Sequence, residues 1–459
     1  MNWTAGQLAD ITRGTLHASA DIVVHGVSTD SRELQPGDVF VAIVGERFDG
    51  AEFATAAMHA GAVLVIAERE VGVPCIVVHD VQRALGMIAR AHLDSLPNTK
   101  VIAITGSSGK TSTKDLVAQV LSEAGKTLSP IGSFNNEIGL PRTVLQATPD
   151  TEFLVLEMGM RGIGHIAALC DIAPPDIATV LNVGSAHIGI VGSRDGIANG
   201  KSEILQALHP DGLAVINRDD HYAPLFRERA RCPHLEFGID DGQVHASDVV
   251  LDASARPSFQ LHIGSETAPV TMQQIGEHHV ANALAAAAIA HACGMSTSGI
   301  AAALSSAVAR SHWRMELHEL ANGVTVINDA YNANPESMRT ALRSLAAMGK
   351  GKRTWAVLGE MRELGDVAVE EHDALGRLVV RLDISKLVAI GDMGKLIQMG
   401  AAHEGSWGDE AVHVHGIDDA VQYITERWQS GDLILIKASR SIGLERVAQA
   451  LLDAGSGKN

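Results

Sequence analysis

The sequence predicts an α/β protein of three domains: a small N-terminal α/β domain, a central P-loop-type domain with a mostly parallel sheet, and a C-terminal Rossmann-like doubly wound domain. Three observations lead to this prediction. The 459 residues exceed the roughly 100–200 residues of one ordinary domain. Short β-branched runs alternate with helical periodicity, which is typical of parallel sheets. One such run, Val101–Thr105, leads into a glycine-rich turn that ends in Lys-Thr.

Residues 1–97 are expected to form the N-terminal domain. Short apolar runs predict strands, and apolar residues at helical spacing predict helices. The expected strands are Val39–Val44, Ala62–Ala67 and Cys75–His79. The expected helices are Ala51–Ala60 and Gln82–Leu93. The polar segment Asp94–Thr99 contains a proline and marks the first boundary.

Residues 98–312 are expected to form the central domain, which begins with a phosphate-binding loop. Glycines let backbone N–H groups close around phosphate oxygens at the start of the helix predicted over Lys110–Ala124. The Lys110 amine can reach the β- and γ-phosphates, and the Thr111 hydroxyl can ligate Mg²⁺. The loop is a variant, because Ala103-Ile104 stands where the full pattern has a glycine. The residues predicted to bind the nucleotide triphosphate here are Gly106, Ser107, Ser108, Gly109, Lys110, Thr111 and Ser112.

Further central strands are expected at Phe153–Leu156, Ile177–Leu181 and Leu213–Ile216. Ligands of open α/β sheets bind at the carboxyl ends of strands, where Glu157 and His187 follow two of these runs. A carboxylate there can hold the cation that bridges the phosphates, and an imidazole can complete a second metal site. Each residue taken alone is equally compatible with a capping or loop role.

Two more elements complete the central domain. The polar region Asp240–Thr271 predicts antiparallel strands, and the alanine-rich run Val280–Cys293 predicts a closely packed helix. A second boundary is expected near Ala309–Trp313.

Lys201 lies on an apolar helical stripe with Ile197, Ile204, Leu205 and Leu208. A lysine in that position must extend its amine to solvent, pair with an anion, or lose its charge. A neutral amine can add CO₂ and become a carbamate, whose oxygens would ligate Mg²⁺. The spacing alone favours extension of the amine to solvent.

Residues 313–459 are expected to form the C-terminal domain, where the alternation of strands and helices restarts. The expected strands are Val324–Ile327, Thr354–Leu358, Lys386–Ile390 and Leu433–Ile436.

The composition argues against several classes of partner. A formal net charge of −18 without a basic cluster disfavours nucleic acid. Four dispersed cysteines without a CxxC pair favour reduced thiols over a disulfide framework. The N-terminus has no signal-peptide pattern, and the longest apolar run, Val280–Ala290, is too short to span a bilayer. A cytoplasmic protein without membrane insertion is expected.

Motifs along the whole chain resemble those of the Mur ligase family. They are Thr29–Arg32, Gly45–Gly50, Thr105–Thr111, Asn135–Pro141, Glu157, His187, Lys201, His279–Ala283, Asp329–Asn334, Leu358–Gly365 and Lys437–Ser441. Within the family, Tyr331-Asn332-Ala333-Asn334 and Gly359–Gly365 distinguish this chain from the tripeptide-forming relative, whose Asp-Asn-Pro-Arg segment is absent. One departure is His312-Trp313-Arg314, where the family usually has Pro-Gly-Arg.

The resemblance implies residue roles. Ser31 and Arg32 would contact the uridine diphosphate, and Asn135 and Asn136 the sugar-peptide substrate. Metal ligands would be Thr111, Glu157, His187 and a carbamylated Lys201, and the catalytic residues would be Lys110, Lys201 and His187. Further ATP contacts would come from Asn282, Arg314 and Asp329.

The resemblance also implies the reaction. An ATP- and Mg²⁺-dependent ligase would join D-alanyl-D-alanine to a UDP-N-acetylmuramoyl tripeptide through an acyl phosphate, working as a monomer in peptidoglycan precursor synthesis. Two alternatives stay open, a folylpolyglutamate-type ligase and a nucleotide-dependent regulatory protein.

Overall fold

The computed structural model describes residues 3–45, 48–186, 188–405 and 408–456. Three α/β units follow one another along the chain, and their main sheets have five, nine and six strands. This confirms the predicted α/β class with mostly parallel sheets. The exact domain limits remain a prediction.

The first unit contains a five-stranded sheet of order β2-β7-β6-β5-β4 and a two-stranded β1-β3 ladder. Its elements are β1 (Trp3–Thr4), α1 (Ala5–Thr12), β2 (Thr15–His17), β3 (Val23–Val24), β4 (Gly26–Ser28), β5 (Asp38–Val41), α2 (Ala54–His59), β6 (Leu64–Ala67), β7 (Cys75–Val77) and α3 (Val81–Asp94). The three predicted strands are confirmed. The strand expected to reach Val44 ends at Val41, because the chain turns back and Gly50 N–H donates to Ile43 O. The predicted helix Ala51–Ala60 begins as a 3₁₀ turn, Gly50–Phe53.

The second unit contains the nine-stranded sheet, of order β16-β15-β14-β13-β12-β11-β8-β10-β9. Its strands are β8 (Lys100–Thr105), β9 (Thr127–Leu128), β10 (Phe153–Glu157), β11 (Ile177–Val180), β12 (Leu213–Asn217), β13 (His234–Phe237), β14 (Val244–Leu251), β15 (Pro257–Ile263) and β16 (Glu266–Thr271). Its helices are α4 (Lys110–Leu121), α5 (Gly139–Val144), α6 (His165–Ile172), α7 (Ile188–Val191), α8 (Arg194–Gln206), α9 (Ala223–Arg229), α10 (His279–Ala292) and α11 (Thr297–Ser306). The predicted antiparallel strands are confirmed as β14–β16.

The β8 strand divides the core of the second unit, because alternate side chains of a strand point to opposite faces. Ile102 and Ile104 pack with α4 and α10 on one face. Val101 and Ala103 pack on the other face with the core that includes α8. Six alanines of α10 are fully buried and allow this helix to pack closely on α4: Ala283, Ala285, Ala286, Ala287, Ala288 and Ala290.

The third unit contains the six-stranded sheet, of order β17-β18-β22-β19-β20-β21. Its elements are β17 (Glu316–Glu319), β18 (Thr325–Asn328), α12 (Pro335–Met348), β19 (Thr354–Leu358), α13 (Ala368–Arg381), β20 (Lys386–Ile390), α14 (Gly394–Glu404), β21 (Ala411–Val414), α15 (Ile417–Thr425), β22 (Leu433–Lys437) and α16 (Glu445–Gly455). Two further 3₁₀ turns are Gly365–Val367 and Arg440–Ile442. The four predicted strands are confirmed, and β17 and β21 extend the sheet at its edges.

Two further properties concern the described part of the chain. Its four cysteines, Cys75, Cys170, Cys232 and Cys293, are free thiols. Within the described residues, each helix is too short or too polar to cross a membrane.

Candidate active site

A cavity of about 390 Å³ lies where the carboxyl ends of the second unit's strands face the third unit. The parallel register brings the ends of β8, β10 and β11 together, since Glu157 pairs with Ile104 and Val180 with Thr105. Twelve predicted site residues line this cavity: Ser107, Ser108, Gly109, Lys110, Thr111, Ser112, Asn135, Asn136, Glu157, Asn282, Arg314 and Asp329.

The phosphate loop is closely supported by its neighbours. Gly109 has φ +78°, a conformation that favours glycine, and an added Cβ would lie 2.7 Å from Asn282 Oδ1. The Gly106 carbonyl accepts a hydrogen bond from Lys110 Nζ at 2.8 Å. Asn182, which follows β11, accepts from Ser108 N–H at 3.0 Å through its side chain. These hydrogen bonds within the chain therefore hold the loop at the amino end of α4.

Glu157 is the central carboxylate of the cavity and is 1% exposed. Its Oε2 accepts from Thr111 Oγ1 at 2.7 Å. Its Oε1 accepts from Ser133 Oγ at 2.8 Å and from Asn135 Nδ2 at 2.6 Å. The Thr111 hydroxyl in turn accepts from Arg314 Nη2 at 2.7 Å. The Thr111 and Glu157 oxygens thus meet at the mouth of the phosphate loop.

The charges in this cluster influence one another. Burial lowers the pKa of Lys110 below its usual value, although the Glu157 charge opposes this effect. Burial acts to raise the pKa of Glu157. The positive charges of Lys110 and Arg314 and the hydrogen bonds from Thr111 and Asn135 act in the opposite direction. Together they are stronger than burial, so the pKa of Glu157 lies below its usual range. Glu157 is therefore an anion at neutral pH.

The donor set suits Mg²⁺, a hard cation that prefers carboxylate and hydroxyl oxygens and bound phosphates. Thr111 Oγ1 and Glu157 Oε2 lie 2.7 Å apart in the cavity. Among the described residues, no three His, Cys, Asp or Glu side chains form a metal-binding group. A further predicted ligand, His187, lies outside the described residues.

Lys201 lies on α8 and is 1% exposed, so the amine does not extend to solvent as its spacing alone suggests. Ile197, Ile204 and Leu205 of the same stripe are also buried. Burial, reinforced by the charge of Lys110, lowers the pKa of the Lys201 amine well below its usual value. Within the described residues, no carboxylate forms an ion pair with this amine, and burial and the Lys110 charge are the influences on its pKa. These conditions favour a neutral amine.

Asp329 and Arg314 approach the cavity from the third unit. Asp329 follows β18, and its Oδ2 lies 2.7 Å from Nζ of Lys437, which ends the neighbouring β22. Arg314 stacks on the Tyr331 ring, with its Cζ 4.2 Å from the ring centroid. On the facing side, the Asn282 amide lies 3.5 Å from His279 Nδ1.

The remaining predicted substrate residues lie in different places. Ser31 and Arg32 are outside the cavity, in the first unit, where exposed Arg32 pairs with Asp30 at 2.6 Å. Asn136 lines the cavity but also caps α5, because its Oδ1 accepts from Gly139 N–H at 2.8 Å. Their contacts to substrate remain predictions.

Several groups in or beside the cavity had no role assigned from the sequence. They are Asn182, His278, Tyr331, Asn334, Glu336 and Lys437. Asn182 follows a predicted strand and could have been found from that position. The His278 and His279 rings form a local tilted stack, with centroids 4.2 Å apart. The approach of Asn334 to the phosphate loop depends on the packing of distant segments.

Three family models match successive parts of the chain. They describe the "Mur ligase family, catalytic domain" over residues 23–102, the "Mur ligase middle domain" over 104–290 and the "Mur ligase, glutamate ligase domain" over 313–440.

Similar proteins cover nearly the whole chain. The UDP-N-acetylmuramoyl-tripeptide–D-alanyl-D-alanine ligase of Mycobacterium tuberculosis is 44% identical, with 98% of this chain and 97% of the relative covered. The enzyme of the same name from Escherichia coli is 33% identical, with 99% of each covered. Among solved structures, MurF from Acinetobacter baumannii has a TM-score of 0.91 at 33% identity and 99% coverage of both chains. MurF ligase from Thermotoga maritima in complex with ADP has a TM-score of 0.82 at 29% identity, covering 94% of this chain and 97% of that one. The chain therefore belongs to the Mur ligase family.

Proposed function

We propose that this protein is an ATP-dependent amide ligase that joins D-alanyl-D-alanine to a UDP-N-acetylmuramoyl tripeptide, releasing ADP and phosphate, in peptidoglycan precursor synthesis. The observation that carries this proposal is the cavity in which Lys110, Thr111, Glu157 and Arg314 converge at a phosphate loop. The names of the relatives, which are similar along their entire length, support the choice of substrates.

We assign the roles by domain. Residues 1–97 would bind the UDP-sugar, 98–312 would bind ATP and carry the catalytic residues, and 313–459 would contribute the opposite wall of the nucleotide site. The exposed Arg32 fits an anion-binding role in the first domain, and the Arg314 and Asp329 positions fit nucleotide contacts from the third.

The reaction must begin by activating the peptide carboxylate, which is a poor electrophile. Its oxygen attacks the γ-phosphorus of ATP, and ADP leaves, giving an acyl phosphate. The free amine of D-alanyl-D-alanine then attacks the acyl carbon, loses a proton, and expels phosphate to form the amide. Lys110 and Arg314 would neutralise negative charge on the transferring phosphoryl group, and the cavity would position the reactants.

Mg²⁺ would neutralise the phosphates, and Thr111, Glu157 and His187 with a carbamate on Lys201 would hold it. The carbamate forms when the neutral Lys201 amine attacks CO₂ and loses a proton. Burial of this side chain supports that assignment. We further propose that the protein is cytoplasmic, since ATP and a soluble nucleotide-sugar are its substrates. We also propose that it is a monomer.

The test is phosphate release from ATP with the UDP-muramoyl tripeptide and D-alanyl-D-alanine each omitted in turn. Release that requires both substrates, with formation of the pentapeptide product, supports the proposal. Release without either substrate, or with a folate in place of the sugar-peptide, contradicts it.

A further inference from the structure

The amino-terminal turn of α12 contacts two loops of the second unit. Glu336 Oε1 accepts from Ser185 N–H at 2.9 Å, and its Oε2 accepts from Ser185 Oγ at 3.0 Å. Two residues earlier, Asn334 Nδ2 donates to the Ser107 carbonyl of the phosphate loop at 3.2 Å. The Gly184 N–H donates to Ser107 Oγ at 2.9 Å, which links the two loops of the second unit to each other. We call this set, Ser107, Gly184, Ser185, Asn334 and Glu336, the interdomain clasp.

The shape of the chain at Gly184 fits the Glu336 carboxylate closely. A Cβ added at Gly184 would lie 2.8 Å from Glu336 Cδ and 3.0 Å from each carboxylate oxygen. Ser185 is 3% exposed, whereas the Glu336 side chain is 29% exposed, so their two hydrogen bonds are partly buried. Glu336 is not among the residues that line the cavity. Its Oε1 also lies 3.6 Å from Arg194 Nη2, on α8.

Gly189 of the second unit also contacts the third unit. Gly189 N–H donates to Glu363 O at 3.2 Å. A Cβ on Gly189 would lie 2.6 Å from Gly365 N, so the two backbones touch. Ser185 and Gly189 therefore each form a hydrogen bond with the third unit.

We infer that Glu336 is a positioning residue that couples the third unit to the arrangement of the phosphate loop and of Gly184–Ser185. Glu336 fixes Ser185 while Asn334 fixes Ser107, and the Ser107–Gly184 hydrogen bond joins the two loops. This inference rests on the proposed function, because its consequence is a faster phosphoryl-transfer step. Glu336 acts through Ser185.

The experiment measures kcat, the KM of each substrate, and ADP binding by calorimetry for five variants. Glu336→Ala removes both acceptors, so kcat should fall roughly tenfold, equivalent to about 1.4 kcal/mol of transition-state stabilisation. The KM for the UDP-muramoyl tripeptide should stay within about twofold, because the clasp joins the second and third units and includes no residue of the first. Glu336→Gln should keep at least half of kcat, since its amide can still pair with both Ser185 groups. Glu370→Ala, an exposed carboxylate on α13, is the matched control.

Gly184→Ala provides an independent test because the three atoms nearest to its new Cβ all belong to the Glu336 carboxylate. It should lower kcat about as much as Glu336→Ala in the wild-type background and cause almost no further loss in Glu336→Ala. Wild-type kcat in Glu336→Ala, or independent losses that multiply in the double variant, would overturn the inference. If the wild-type protein neither binds ADP nor turns over, the proposed function fails instead.

Discussion

Replacing Gly109 by alanine should strain the phosphate loop and thereby weaken nucleotide binding. Gly109 has φ +78°, and an alanine in that left-handed conformation costs about 1–2 kcal/mol. Its Cβ would also stand 2.7 Å from Asn282 Oδ1, well inside the about 3.5 Å of a favourable contact between heavy atoms. Either Asn282 or the loop must move.

The affinity for ADP depends on whether the phosphate loop moves. A shift of the loop misaligns backbone N–H groups that would face phosphate, and losing one hydrogen bond to a charged group costs about 1.5–3 kcal/mol. ADP should therefore bind roughly 10- to 150-fold more weakly to Gly109→Ala. Isothermal titration calorimetry measures this directly.

Gly294→Ala is the matched control. Gly294 has φ +88° but has open space around its Cβ position, so this variant should lose a similar amount of stability in thermal unfolding and keep its ADP affinity. If Gly109→Ala bound ADP within twofold of the wild type, the assignment of this turn as the phosphate site would be wrong.

Other substitutions test the remaining assignments. Lys110→Ala should abolish acyl-phosphate formation in a rapid-quench assay while the circular dichroism spectrum stays unchanged; near-wild-type turnover would contradict the role of Lys110. Arg32→Ala should weaken binding of the UDP-sugar peptide at least tenfold and leave ATP affinity nearly unchanged, whereas equal losses would contradict the division of roles between domains. Lys201→Ala should be nearly inactive and partly rescued by added short carboxylic acids, with no such rescue for Lys110→Ala. Failure of that rescue, together with an unmodified lysine in a high-resolution map, would refute the carbamate.

Local sequence was sufficient to predict the elements whose signal is long and periodic. The turn at Gly106–Gly109 and the helix after it are determined by neighbouring residues, and both lie where predicted. Glu157 could be placed because parallel strands end at one edge of a sheet. By contrast, β1, β3 and β4 have two or three residues each, too few for a period of two to be recognised.

The contacts between units were beyond the reach of local patterns. Arg314 and Thr111 are separated by 203 positions, yet their side chains lie 2.7 Å apart. Such a contact depends on how whole sheets pack, and the sequence contains no periodic trace of it. For Lys201, the apolar stripe correctly indicated a buried helix face, but spacing could not indicate whether the amine at its tip would reach water.

The charges around the phosphate loop explain why a protein with a formal net charge of −18 can bind a polyanion. Asp329 neutralises Lys437 at 2.7 Å, so that pair adds little net charge. Lys110 and Arg314, however, share Glu157 as their nearest buried carboxylate, and both contribute to lowering its pKa. The mouth of the loop is therefore locally positive before any ligand arrives. A nucleotide triphosphate brings the negative charge that this cluster lacks, and the low dielectric of a buried site strengthens the attraction. Phosphate binding here would depend on a local arrangement of a few side chains, while the global charge disfavours nucleic acid.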